Sequence, residues 1–185
     1  MGGMLVFGYG NPGRGDDALG PAFVERLERE NPDATDNVTY LSDMQLQVEH
    51  VTDLCGRQLL LFVDADAACQ PPFQLSQIHA ERDTSYTSHA MTPQALLYAY
   101  CQVYGRKAPQ ALLLRIRGYG FELGEPLDAR ADANLGAALA LATRLGVANA
   151  QRWQKCARGH NDAVIVDRGS AGDGSGGPRD KSTSY

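Results

Sequence analysis

The sequence predicts an α/β domain built on a largely parallel sheet, and two observations support this class. Short apolar runs alternate with segments of helical periodicity from Met4 to Leu145, which is the pattern of strand–helix–strand crossovers. The run Leu59–Asp66 begins with five apolar residues in a row, as expected for a strand that is buried on both faces. A chain of 185 residues is long enough for one such domain and short for two.

The first half of the chain supplies three strands and two helical segments. Met4–Gly8 is a short apolar run bounded by glycine and predicts a buried strand. A helix is expected from Leu19, where apolar residues recur every four positions, and Asp16 or Asp17 is a plausible cap for its first turn. The following patterns predict a strand at Val38–Leu41, a short helix at Leu46–Leu54 and the central strand at Leu59–Asp66.

The second half continues the alternation and then loses it. An edge strand is predicted at Pro72–Glu81, a helix capped by Thr92 and closed by Gly105, a strand at Ala111–Gly120 and a helix at Ala131–Leu145. Beyond Val147 the apolar pattern fades into a Gly/Ser-rich, polar stretch. We therefore expect a folded domain at residues 1–147 and a flexible tail at 148–185.

Composition narrows the classes of function. The net charge of −5 and the lack of a Lys/Arg stripe argue against a nucleic-acid-binding protein. No segment has the roughly 18 apolar residues needed to cross a bilayer, so no membrane partner is expected. The four cysteines are far apart and form no C-x-x-C pair, which speaks against a zinc knuckle or a disulfide framework. The first residues lack the features of a signal peptide, so we expect a cytoplasmic protein.

The stretch LVFGYGNPGRGDDALG contains two competing signals. Gly8, Gly10 and Gly13 spell G-x-G-x-x-G after a predicted strand, as in a loop that cradles a dinucleotide. In that fold the third glycine lies in the first turn of the helix, whereas here helical periodicity begins several residues later. Asp16 and Asp17 would also repel a pyrophosphate and attract a cation. We therefore expect no dinucleotide and favour a loop that places a carboxylate near a metal ion.

Three side chains are candidates for such a site. Asp17 follows the first strand and Asp64 ends the strongest strand, so both belong to the carboxyl edge of the sheet, where ligands bind in open α/β folds. His89 lies in a polar loop before the next helix. Two carboxylates and an imidazole suit a borderline divalent metal such as nickel or zinc. The plainer alternatives are a helix cap for Asp17, a turn residue for Asp64 and a solvated histidine.

The motifs FGYGNPGRGDDALG, LLLFVDADAA, TSHAMTPQALL and RIRGYGFELGEPL, in this order, resemble the nickel–iron hydrogenase maturation endopeptidases from about Met4 to Leu145. The resemblance implies a single three-layer α/β/α domain around a five-stranded twisted sheet. It also implies removal of a C-terminal extension from the hydrogenase large-subunit precursor after nickel insertion. Asp17, Asp64 and His89 would then contact a nickel ion carried by that substrate, and no tightly held metal is expected. These enzymes are grouped with aspartic endopeptidases.

Two other functions remain open at this stage. The chain would be a non-proteolytic metal-binding chaperone or scaffold if it held the precursor without cutting it. It would be a small-molecule metallohydrolase if it used a bound divalent ion on its own. For the protease, a carboxylate acting as general base and a carbonyl polarised by nickel are both compatible with the residues.

Overall fold

The computed structural model describes residues 2–34, 36–82 and 91–159. Its centre is a five-stranded sheet with the strand order β2-β1-β3-β5-β4. The strands are β1 (Met4–Tyr9), β2 (Val38–Asp43), β3 (Leu59–Asp66), β4 (Phe73–Ile78) and β5 (Gln110–Arg117). The four strands β2, β1, β3 and β5 are parallel, and β4 pairs antiparallel with β5 at the edge. The predicted class, the mostly parallel sheet and the edge strand are confirmed.

Helices cover both faces of this sheet. They are α1 (Leu19–Glu30), α2 (Pro93–Tyr104), α3 (Ala129–Leu145) and α4 (Ala150–Gly159), and the segment expected as a short helix near Leu46 contains a 3₁₀ turn at Val48–Thr52. Side chains alternate along β1 between two separate cores. Met4 and Val6 pack with α1, α3 and α4, whereas Leu5 and Phe7 pack with α2 and the 3₁₀ turn. The result is a three-layer α/β/α sandwich, and no helix in the described ranges is long and apolar enough to span a membrane.

The two predicted helix starts have different outcomes. At α2, the hydroxyl of Thr92 accepts a 3.1 Å hydrogen bond from the amide of Ala95, and Gly105 ends the helix in a left-handed conformation at φ 60°. These predictions are confirmed. At α1, the capping position is Ala18 and no side chain caps the helix. The prediction that Asp16 or Asp17 caps α1 was therefore wrong, because both residues lie in a 3₁₀ turn that precedes the helix.

The expected boundary at residue 147 was also wrong. Residues 150–159 form α4, whose Trp153 is fully buried in the core that α1 and α3 share. The buried residues Ala150, Trp153 and Ala157 have helical spacing, but the helix is polar on average and two of these three residues are alanines, so its low apolar content resembled that of the polar stretch that follows. The domain extends at least to Gly159, and residues 160–185 lie outside the described part of the chain.

Candidate active site at the carboxyl edge of the sheet

Three neighbouring parallel strands end at one open cavity of about 620 Å³. Tyr9, Asp43 and Asp64, at or near the ends of β1, β2 and β3, line it together with Asp17 from the following loop. We call this cavity the acidic pocket. Its remaining lining residues are Gly10, Asn11, Arg14, Met44, Gln45 and Gln47. The structure thus brings Asp17 and Asp64 to one pocket, at the edge where the sequence placed them.

Asp64 has the most perturbed carboxyl group of the pocket. Burial raises its pKa from the ordinary 3.8 to about 6, and the negative charge of Asp17 adds to this effect. The hydroxyl of Tyr9 donates a 2.9 Å hydrogen bond to Oδ2 of Asp64, which works in the opposite direction. Burial, followed by the neighbouring Asp64, raises the pKa of Tyr9 as well. A desolvated carboxylate beside a second one is stabilised by an incoming cation.

Asp17 is held by the loop that precedes it. Its Oδ2 accepts a 2.8 Å hydrogen bond from the amide of Asn11. Gly10 has a φ of 141°, and a Cβ there would lie 2.0 Å from the carbonyl oxygen of Asp17, so the loop closes only with glycine at this position. The residues after the glycine motif therefore fold back on themselves and place a carboxylate, not a helix N-terminus, in the pocket.

The first glycine of the motif also has a packing role. A Cβ at Gly8 would lie 2.1 Å from the carbonyl oxygen of Gly20, which means that β1 and α1 are in backbone contact here. An anion in the acidic pocket would meet three carboxylates, which opposes a pyrophosphate. The geometry disfavours a dinucleotide in this loop, and the metal contact stays a prediction.

Asp16, by contrast, lies away from the pocket and is fully buried. Its Oδ2 accepts hydrogen bonds from the amides of Tyr119 at 2.6 Å and Gly120 at 3.0 Å, and its Oδ1 from that of Asp128 at 2.8 Å. Asp16 therefore ties the turn before α1 to the segment between β5 and α3. The preference for Asp17 over Asp16 as a site residue is consistent with this placement.

The third candidate, His89, lies outside the described residues. Within residues 2–34, 36–82 and 91–159, no group of three His, Cys, Asp or Glu side chains is arranged to hold a metal ion. Asp43 lines the pocket, but both of its carboxylate oxygens have other partners. Its Oδ1 accepts a 2.6 Å hydrogen bond from the amide of Met44, and its Oδ2 lies 3.3 Å from Nε2 of His50. The described part of the site is thus a carboxylate pair, Asp17 and Asp64, with Asp43 at the wall.

Two features of this site were missed at the sequence level. Tyr9 was part of a quoted motif, but its hydroxyl partner is 55 residues away in the chain. His50 was given no role, but its ring packs edge-on against Phe7 and its Nε2 lies 3.3 Å from Oδ2 of Asp43. The contact between Tyr9 and Asp64 depends on the pairing of β1 with β3, and the contacts of His50 depend on how the 3₁₀ turn after β2 packs on the sheet, so neither leaves a periodic signal.

No protein-family model matches the sequence, and no curated protein matches it either. Solved structures do. A NiFe hydrogenase maturation protease HycI from Thermococcus kodakarensis KOD1 is similar with a TM-score of 0.59 and 20% identity, over 77% of this chain and 90% of that one. The hydrogenase maturating endopeptidase HybD from E. coli is similar with a TM-score of 0.56 and 21% identity, over 78% of this chain and 94% of that one. A hydrogenase 2 maturation peptidase from Thaumarchaeota archaeon SCGC_AB-539-E09 is similar with a TM-score of 0.55 and 23% identity, over 78% of this chain and 99% of that one.

These similarities establish the fold. The chain has the three-layer α/β/α architecture of the hydrogenase maturation proteases and spans nearly the whole length of each. The resemblance inferred from the sequence is confirmed at this level. Fold alone does not fix a function, which has to be argued from the site.

Proposed function

We propose that the protein is an endopeptidase that removes the C-terminal extension of a nickel–iron hydrogenase large-subunit precursor after nickel has been inserted. The observation that carries this proposal is the acidic pocket, where Asp17 and Asp64 meet at the carboxyl edge of the sheet. The fold that the chain shares with hydrogenase maturation proteases supports it. Nickel belongs to the substrate in this scheme, and the protein recognises it transiently.

The donor set fits that role. Burial, together with the negative charge of Asp17, raises the pKa of Asp64. A nearby cation would therefore stabilise the ionised form of this carboxylate. Oxygen donors without a thiolate favour weak, exchangeable binding of a borderline ion, which suits recognition of a metal that another protein already holds. We assign the third contact to His89. Asp17, Asp64 and His89 would then orient the precursor so that its scissile bond lies beside the pocket.

Orientation of this kind is a large part of peptide-bond hydrolysis. Holding reacting groups in a productive geometry contributes up to roughly 7–11 kcal/mol to lowering the barrier. A carboxylate acting as general base and a carbonyl polarised by nickel are both compatible with the pocket. The raised pKa of Asp64 belongs to the protein without a cation, and the approach of a cation lowers it. Water attacks the peptide carbonyl, the base takes a proton from that water, and the leaving amine receives a proton as the bond breaks.

Tail release from purified precursor tests the proposal. Wild-type protein is incubated with nickel-loaded and nickel-free precursor, and both products are weighed by mass spectrometry. We expect cleavage of the loaded form alone. Asp17→Asn, Asp64→Asn and His89→Ala should each reduce cleavage strongly, whereas Asp33→Asn, which removes an exposed carboxylate from a turn outside the pocket, should not.

The outcomes separate the three functions. Equal cleavage of the nickel-free precursor would overturn nickel recognition. Precursor that is bound but never shortened would favour the chaperone or scaffold. Turnover of small amides with added metal, without any precursor, would favour the metallohydrolase.

A further inference from the structure

The hydroxyl of Tyr9 makes a contact that has no part in the scheme above. It donates a 2.9 Å hydrogen bond to Oδ2 of Asp64, and both residues line the acidic pocket. The pairing of β1 with β3 sets this contact, because Gly8 is the register partner of Val63 and Tyr9 and Asp64 are the next residues along. Groups on paired strands are held more precisely than groups on loops.

We propose that Tyr9 is a positioning residue, which holds the carboxylate of Asp64 in the orientation that contacts the substrate's nickel. A carboxylate rotates about its last bond unless a partner fixes it. With Oδ2 bound to Tyr9, Oδ1 of Asp64 becomes the oxygen that meets the cation. This inference rests on the proposed function, and it assigns a role to a residue that neither the motif nor the fold identifies.

The structure also suggests why this role can be isolated from folding. The ring of Tyr9 packs against the core that lies between the sheet and α2. Tyr9→Phe retains that ring and removes the hydroxyl alone. Tyr40→Phe is a matched control on the neighbouring strand β2, because the buried Tyr40 hydroxyl makes no hydrogen bond in the described part of the chain.

The test uses Ni²⁺ alone as the probe and NMR as the readout. Paramagnetic Ni²⁺ broadens amide signals close to the bound ion, even when its affinity is only millimolar. At a fixed millimolar Ni²⁺ concentration, we expect broadening at Asp17 and Asp64 in the wild type and in Tyr40→Phe. Loss of a partner that orients a metal ligand typically weakens binding by about 10–100-fold, so Tyr9→Phe should lose most of this broadening, as Asp64→Asn should.

Cleavage kinetics provide the second readout. Tyr9→Phe should lower kcat/KM for nickel-loaded precursor by about the same 10–100-fold, while the protein stays folded at the assay temperature. Equal broadening and equal cleavage in Tyr9→Phe and wild type would overturn the positioning role. No broadening at Asp64 in the wild type would overturn both the cation contact and the role of Tyr9. Ni²⁺ binding that depends on Tyr9, with precursor left intact, would overturn the proposed function and leave the role of Tyr9 standing.

Discussion

Asp16 and Asp17 are adjacent in the sequence, but their carboxylates lie in different environments. Asp16 is fully buried and accepts hydrogen bonds from the amides of Tyr119, Gly120 and Asp128. Asp17 lines the acidic pocket and accepts one hydrogen bond, from the loop that precedes it. One carboxylate of the pair thus fixes the turn before α1 to the segment between β5 and α3, and the other faces the acidic pocket. The two residues should therefore fail in different ways when they are replaced.

Asp16→Ala should destabilise the protein by at least about 3 kcal/mol, because each of the three amides that loses its acceptor costs about 1–3 kcal/mol when it stays buried. The sequence alone suggested a helix cap worth about 0.5–2 kcal/mol. Asp17→Ala loses one hydrogen bond and should cost less than about 1.5 kcal/mol. Urea unfolding of the two variants measures both values. A smaller loss for Asp16→Ala than for Asp17→Ala would contradict the assignment.

Asp64→Asn should make the protein more stable near neutral pH while it strongly reduces cleavage. Burial raises the pKa of Asp64 from 3.8 to about 6, so the folded state binds the proton more tightly than the unfolded chain. Folding stability therefore falls as pH rises from about 4 to above 6. The full effect is about 3 kcal/mol at pH 7.5. Asparagine carries no charge and can still accept the hydrogen bond from Tyr9. The folding stability of the variant should therefore lack the fall with rising pH that Asp64 causes in the wild type.

Urea unfolding at pH 5 and pH 7.5 tests this prediction, with Asp66→Asn as the control. Asp66 lies two residues further along β3, accepts hydrogen bonds from the amides of Ala68 and Cys69, and pairs with Arg115 at 3.3 Å. Its replacement should destabilise the protein at both pH values. Asp64→Asn should be more stable than the wild type by about 3 kcal/mol at pH 7.5 and by about half that at pH 5. Equal destabilisation by both variants would argue against a desolvated charge at Asp64.

The pH dependence of cleavage follows from the same group. Docking onto a cation requires ionised Asp64, and the pH dependence of kcat/KM reports the pKa values of the free enzyme. We expect kcat/KM for nickel-loaded precursor to rise with pH to a plateau, with a midpoint of about 6. A carboxyl ¹³C NMR titration of Asp64 should give the same midpoint in the free protein and separate it from any contribution of His89. A midpoint near 4 in both measurements would mean that the carboxyl group is not desolvated.

The sequence predicted what depends on local pattern. The five apolar residues from Leu59 and the cap at Thr92 gave the central strand and a helix because burial and capping leave periodic or positional signals. Asp17 and Asp64 could be assigned to one edge because carboxyl ends of parallel strands share it. The role of Asp16 could not be predicted, since its partners lie 103 to 112 residues away. The same holds for the contact between Tyr9 and Asp64.

The helix α4 was missed because it is polar on average and has a single large apolar side chain in its buried face. Its contribution to the core depends on one large side chain, Trp153, which is fully buried in the core on the α1 and α3 face of the sheet, where α4 contacts β4. Trp153→Ala should destabilise the domain by about 3–5 kcal/mol, the usual cost of removing a large aromatic side chain from a core.

Trp153→Phe is the matched variant for this test. The indole N–H of Trp153 has no hydrogen-bond partner among the described residues, so phenylalanine removes an unpaired donor and keeps most of the packing. Trp153→Phe should therefore lower the free energy of unfolding by well under half as much as Trp153→Ala does. Thermal and urea unfolding of both variants measure the difference. If residues 150–159 were part of a tail outside the domain, as the sequence suggested, neither substitution would change the free energy of unfolding.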